Sequence, residues 1–297
     1  MKIIQTFWTL PMVKSRATTV DNRLSGGWLE SKYHLMSWAY SCLQLRSFYD
    51  EVELITDQAG KALMIDKLHL PYTHTAVVLD DINHYNPDWW AIGKIYAFGL
   101  QQQPFLHVDG DVFIWAPFPE RLAKAALVSQ NLEYGFPFYR AVLDQLVDRK
   151  AYIPAEILSS ARGQPSLLAY NAGIIGGNDI AFFREFVHEA WKFIKENQAV
   201  INLPNAGMLN AFYEQHFFYC MAAQRKIKVE CYTEETDPDR LWTYFKSMKR
   251  FGNAPEGCSY IHLWGNDVKM WIEVCEALSD RLKREYPAWH ARVMSIV

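Results

Sequence analysis

Short apolar runs alternate with helix-spaced stretches along this chain, and that alternation predicts an α/β sheet. Lys2–Trp8 reads as a first strand, Glu51–Thr56 as a second, Ala76–Leu79 as a third and Phe105–Val108 as a fourth. Helices are expected between them over Gly27–Ser47, Ala59–Leu68 and Trp89–Gln102. In the first of these, Leu35, Trp38, Ala39, Cys42 and Leu45 recur at helical spacing. A later strand is expected at Ala169–Ile175, followed by helices Asp179–Asn197 and Leu209–Arg225 and by strands near Lys228–Cys231 and Ser259–His262. The stretch from Asp267 to the end reads as one helix with Trp271, Val274, Cys275, Leu278 and Leu282 on one face. No element is assigned to Gln130–Ser166.

Composition narrows the classes of function. The chain has 297 residues, 50% hydrophobic and 21% charged, which is ordinary for a globular protein with a sizeable core. A net charge of −3 gives no global attraction for nucleic acid or anionic lipid, so any phosphate binding must be local. The 11 Trp, 16 Tyr and 17 Phe exceed the usual load and suit both a core and sugar-ring stacking. Five cysteines without a Cys-x-x-Cys pair argue against a disulfide framework and a structural zinc site. Gln5 and Thr6 interrupt the first apolar run, so it does not read as a signal peptide. No stretch approaches the roughly 20 apolar residues that span a bilayer. A cytoplasmic protein is expected.

The strongest chemical signal is Phe105-Leu-His-Val-Asp-Gly-Asp-Val-Phe-Ile-Trp115. Asp109 and Asp111 straddle Gly110 where a predicted strand ends, and two such carboxylates form an oxygen-rich site for a hard divalent cation. An isolated Asp-Gly-Asp is also what a polar turn looks like; the apolar flanks on both sides disfavour that here. In open α/β sheets ligands bind beyond the carboxyl ends of the strands, where Asp109 falls. Asn171-Ala-Gly-Ile-Ile-Gly-Gly-Asn178 is a second strand whose glycines admit a ligand or another backbone closely. Ser259-Tyr-Ile-His-Leu-Trp-Gly-Asn266 is a third, followed by Lys269.

In these three segments the chain resembles GT-A glycosyltransferases, with a motif layout nearest the retaining, glycogenin-like group. The resemblance implies a GT-A (Rossmann-like) mixed, mostly parallel sheet flanked by helices. It also implies transfer of a sugar from a nucleotide-diphosphate donor, with a UDP-sugar favoured, to a saccharide or other small acceptor. Asp109, Asp111 and His262 match the family's metal ligands; imidazole beside two carboxylates tilts the expected ion toward Mn²⁺ over Mg²⁺. Gly265 and Lys269 match residues against the donor diphosphate, with one residue more between them than the usual form. Gly110, Lys94, Thr6 and Asp57 are further donor-side candidates, Asp57 being equally a helix cap. Asn171 matches the residue lining the sugar pocket, and Glu214-Gln215 stands where the family has an Asp-Gln pair. Those three are the expected catalytic residues. A retaining enzyme needs no separate base if the leaving phosphate deprotonates the acceptor. An inverting one would use Glu214 or Asp179.

The resemblance implies a catalytic core over residues 1–265, a C-terminal helical extension over 266–297 and a variable acceptor or lid segment over 130–166. Tyr134, Phe136, Phe138 and Tyr139 in that segment either stack on an acceptor or pack as a lid. Three rivals compete. A haloacid-dehalogenase-like phosphohydrolase also carries Asp-x-Asp after a strand, but near the chain start and with a later Asp pair. A sugar nucleotidyltransferase needs a Gly-rich, Arg-containing loop after the first strand, and Thr9–Arg16 is not Gly-rich. A degenerate GT-A domain acting as a scaffold would not need Asp109, Asp111, His262 and Lys269 intact.

Overall fold

The strands form where short, mostly apolar runs lie between helix-spaced stretches. β1 (Lys2–Phe7) and β2 (Val52–Thr56) pair in parallel, Ile3 opposite Val52 through Phe7 opposite Thr56, and every residue of β2 is buried. Burial on both faces is the signature of a strand covered by helices. Glu53, the one charge in β2, is neutralised by Lys2, whose Nζ lies 2.8 Å from its carboxylate. The computed structural model describes residues 1–14, 26–198, 206–237, 239–241, 254, 256 and 258–297. Arg16, in the loop weighed against a nucleotidyltransferase, lies outside them.

Next along the chain come β3 (His74–Val77), β4 (Phe105–Val108), β5 (Val112–Ile114), β6 (Leu127–Ser129), β7 (Leu132–Glu133), β8 (Ala169–Tyr170), β9 (Ile174–Gly177), β10 (Val229–Cys231) and β11 (Tyr260–His262). Seven of them share one sheet in the order β10-β6-β9-β4-β1-β2-β3. β2–β3 and β6–β10 are parallel and β6–β9 antiparallel, giving the mixed, mostly parallel α/β sheet that the sequence predicts. Two small antiparallel ladders, β5–β11 and β7–β8, stand apart from it.

The chain divides into two compact units. One comprises residues 2–83, 108–117 and 239–297; the other comprises 84–107 and 118–238, with Met1. The core of the first surrounds the helix Ser31–Phe48, buried without interruption from Tyr33 to Leu45. Phe113, Ile261 and Leu263 pack there, as do Val274, Cys275, Leu278 and Leu282 of the helix Ile272–Glu285. That helix is also tied by polar bonds: Tyr40 donates to Glu285 Oε2 at 2.7 Å, and Gln44 donates to the same oxygen at 3.2 Å. The core of the second unit is aromatic. Phe105, Phe183, Phe186 and Phe218 meet at ring separations of 4.8 to 5.9 Å, largely edge to face, the geometry that the ring quadrupole favours.

Four expectations change. The strand expected at Ala76–Leu79 lies two residues earlier, because after the rung from Val78 N to Thr56 O the chain turns over Leu79–Ile82. The strand expected over Ala169–Ile175 breaks into β8 and β9, since the Asn171 side chain accepts from Gly173 N at 2.9 Å and closes a local turn. The single closing helix is three, Asn266–Lys269, Ile272–Glu285 and Pro287–Ile296; Pro287 has no N–H to continue a helix and begins the last one. The unassigned stretch holds helices Pro137–Asp148 and Ala155–Ala161. In the first, buried Tyr139, Val142, Leu143 and Leu146 follow i, i+3, i+4, i+7, the spacing of a helix with one buried face.

One buried group links the second unit to pH. His216 is fully buried, its Nδ1 lies 2.6 Å from the Leu168 carbonyl, and burial lowers its imidazole from an ordinary 6.5 to about 4. Between those values the unfolded chain binds the extra proton, so stability falls as pH falls through this window. His107, lowered by burial and then by the Lys94 ammonium, acts in the same direction. The expected loss from His216 is about 3 kcal/mol, at about 1.4 kcal/mol per unit. Denaturant titrations from pH ~7 to ~4 should show a flatter slope in His216→Gln, whereas an unchanged slope removes His216 as the cause.

Candidate metal centre

β4 runs to Val108 and the chain then turns at once, with Val112 N donating to Asp109 O at 3.1 Å. This turn hangs on polar residues from the interior. Ser37 donates to Gly110 O at 2.7 Å, while Ser41 and Gln5 both reach Asp109 O at 3.4 Å. Gln5 also donates to Ser41 Oγ at 3.0 Å. Ser37 and Ser41 are buried polar positions on a mostly apolar helix, and their cost of burial is offset by holding this loop. Gly110, a donor-side candidate in the sequence, has a spatial reason to be glycine. A Cβ there would lie 2.5 Å from the Trp38 ring.

Beyond the turn, β5 pairs antiparallel with β11, setting His262 opposite Val112, and Leu263 N donates to Asp111 O at 3.1 Å. That register brings His262 to the aspartates. Ligand atoms of Asp109, Asp111 and His262 all lie within 4.8 Å of one another, and His262 Nε2 is 3.4 Å from Asp111 Oδ1. Lys269 follows from the short helix Asn266–Lys269 and meets Asp111 Oδ2 at 2.6 Å, its ammonium 6.0 Å from the Trp28 ring centroid. Gly265 turns the chain between them at φ 77, in the left-handed region that favours glycine.

The electrostatics follow from these neighbours. Burial alone would raise the Asp111 carboxyl, but the Lys269 ammonium and the His262 imidazole hold it well below the usual carboxylate range. Asp111 is therefore an anion in the folded chain. Two carboxylates and an imidazole are a donor set open to a divalent cation, so the residues present can hold the expected Mn²⁺ or Mg²⁺.

Thr6 sits half-buried on β1 opposite Ile55. Asp57 is buried and engaged by its own chain: Oδ2 accepts from Thr9 N at 2.8 Å and Thr9 Oγ1 at 2.6 Å, and Oδ1 accepts from Gly60 N at 2.7 Å. The helix-cap alternative thus describes its contacts. Lys94, Asn171, Glu214 and Gln215 belong to the second unit. Lys94 Nζ lies 2.9 Å from Glu214 Oε1 with both side chains nearly buried, and burial raises the Glu214 carboxyl while Lys94 pulls it down. Asn171 donates to Glu133 Oε1 at 2.8 Å, Tyr139 donates to Glu133 Oε2, and Gln215 donates to Tyr139 Oη at 3.3 Å. Gln215 Oε1 also accepts from Ala172 N at 2.9 Å. Glu133 escaped the sequence reading because an isolated Glu between two apolar stretches carries no motif. Tyr139 is fully buried, so packing describes it. The glycines after Asn171 serve backbone approach: a Cβ on Gly176 would lie 2.2 Å from Phe105 O, and on Gly177 2.1 Å from Ala126 O.

The turn yields a direct test of its packing. Gly110→Ala must displace the Trp38 ring, which stacks edge-on to Phe7 at 4.9 Å and donates to His34 at 2.9 Å. A loss of about 1–3 kcal/mol is expected, measured as a lower denaturation midpoint at unchanged m-value. A wild-type midpoint would mean that the ring does not confine this turn.

Among solved structures, the chain is similar to a galactosyltransferase, LgtC, in complex with donor and acceptor sugar analogues. Identity is 12%, the match covers 94% of this chain and 96% of that one, and the TM-score is 0.44. It is similar also to an active-site mutant of LgtC, at 11% identity, 95% and 96% coverage and a TM-score of 0.44. At these values the likeness assigns no activity. No curated protein matches the chain. Among the described residues no helix is long and apolar enough to cross a membrane. The family model that does match, DUF6734, is described as a family of unknown function, and since it spans residues 1–296 the chain belongs to that family.

Proposed function

We propose that the chain is a metal-dependent glycosyltransferase that moves a sugar from a nucleotide-diphosphate donor, UDP-sugar favoured, to a saccharide or other small acceptor with retention. The observation that carries this reading is the Asp109–Asp111–His262 group, its ligand atoms within 4.8 Å, with Lys269 2.6 Å from Asp111. Sugar transfer builds negative charge on the departing diphosphate. A divalent cation held by Asp109, Asp111 and His262 would supply Lewis-acid stabilisation of that charge. Lys269 adds a point charge for the same oxygens, and the exposed, left-handed Gly265 presents backbone without a Cβ in the way.

The chain's own residues supply orientation. Ser37, Ser41 and Gln5 fix the loop carrying both aspartates, so that little reorganisation is needed when charge develops. Asn171, Glu214 and Gln215 are proposed for the sugar-handling chemistry. Glu214 supports that role through its buried ion pair with Lys94, and Asn171 and Gln215 through amides aligned by Glu133 and Tyr139. The segment 130–166 is proposed to serve the acceptor.

Thermal melts with UDP, GDP and Mn²⁺ test the donor side. Mn²⁺ together with UDP should raise the midpoint by several degrees, since a ligand present at about 100 times its Kd adds about 2.7 kcal/mol. Asp111→Asn should lose that shift. No Mn²⁺-dependent shift with either nucleotide would sink the proposal.

The sugar side is tested separately. Gln215→Ala should keep the Mn²⁺- and UDP-dependent shift yet lower nucleotide release from a UDP-sugar by on the order of 100-fold. Wild-type turnover in that variant would remove Gln215 from the reaction.

A further inference from the structure

Lys269 does more at the centre than stand near it. Its ammonium lies 2.6 Å from Asp111 Oδ2, on the carboxylate whose other oxygen faces His262 at 3.4 Å. The lysine is held there from several sides. Its carbonyl accepts from Leu29 N at 3.1 Å and from Cys275 Sγ at 3.3 Å, its ammonium lies 6.0 Å from the centroid of the Trp28 ring, and its side chain is only 12% exposed. An ammonium bound to a carboxylate occupies the charge that a divalent cation would use. With two carboxylates and one ammonium the centre is net negative; a divalent ion makes it net positive and sets two cations side by side. Like charges at such separations repel strongly in a partly buried site. Diphosphate oxygens relieve that repulsion by giving the ammonium a new anionic partner.

We propose that Lys269 is a built-in competitor for Asp111, which keeps cation binding weak in the nucleotide-free protein and makes it contingent on a nucleoside diphosphate. The inference rests on the cation reading of the proposed function and adds its regulation. Lys269 thus changes partner, from Asp111 to the diphosphate. The energetic consequence is positive coupling between metal and nucleotide, which is reciprocal by necessity.

The test is Mn²⁺ binding to the full chain, with free Mn²⁺ read by electron paramagnetic resonance, first without nucleotide and then with UDP. Without UDP, Lys269→Met should bind Mn²⁺ roughly tenfold more tightly than wild type, a difference of about 1.4 kcal/mol. Lys269→Arg, which keeps the charge, should resemble wild type. UDP should tighten Mn²⁺ binding in wild type and do so roughly tenfold less in Lys269→Met. Lys269→Gln replaces Lys269→Met if the latter melts below the assay temperature. Equal or weaker Mn²⁺ affinity in the neutral variants, or tighter affinity in Lys269→Arg, overturns the competition and leaves the cation ligands standing. Mn²⁺ bound by none of these proteins, with or without UDP, removes the cation reading and the competition with it.

Discussion

The pairing of Val112–Ile114 with Tyr260–His262 is the constraint on which the candidate centre depends. Three antiparallel rungs bring a histidine from near the end of the chain to a carboxylate pair set by a strand in its first half. Register decides the outcome, because a slip of one residue would turn the His262 side chain to the other face of the ladder. The ladder is in turn held by burial. Phe113 and Ile261 are fully buried in the core built around the helix Ser31–Phe48, so slippage would expose apolar surface as well as separate the ligands.

The same helix explains how two aspartates keep a fixed direction. Its buried face carries Ser37 and Ser41 among the apolar residues, and these hydroxyls hold the carbonyls of Gly110 and Asp109. Trp38 closes the remaining space, leaving room at residue 110 for a hydrogen and nothing larger. A carboxylate pair on so confined a turn loses little entropy when a cation is captured. Charge balance is likewise local: Lys269 and His262 keep Asp111 ionised despite its partial burial, within a chain whose net charge is nearly zero.

Much of this was legible in the residues. β1, β2, β4, β10 and β11 coincide with mostly apolar runs to within two residues, because strands covered by the core draw on apolar side chains. The grouping of Asp109, Asp111 and His262 was also legible, through spacing and resemblance. β5 was not, since three apolar residues after a turn do not distinguish a strand from a loop. The break at Asn171–Gly173 was hidden for a different reason: a side chain competing with the ladder leaves no trace in hydropathy. Pro287 did announce the end of a helix, and the apolar stripe leading to it obscured that signal. Glu133 and Tyr139 were invisible as partners of Asn171 and Gln215 because their bonds depend on β7 and the helix Pro137–Asp148 lying in one unit.

The central claim is that a divalent cation is held by Asp109, Asp111 and His262. Anomalous diffraction near the manganese edge, from crystals grown with Mn²⁺ and UDP, tests it most directly. A cation held there gives one strong peak between the carboxylates of Asp109 and Asp111 and the His262 imidazole. A manganese peak elsewhere on the chain, with UDP bound and these three side chains unligated, would contradict it.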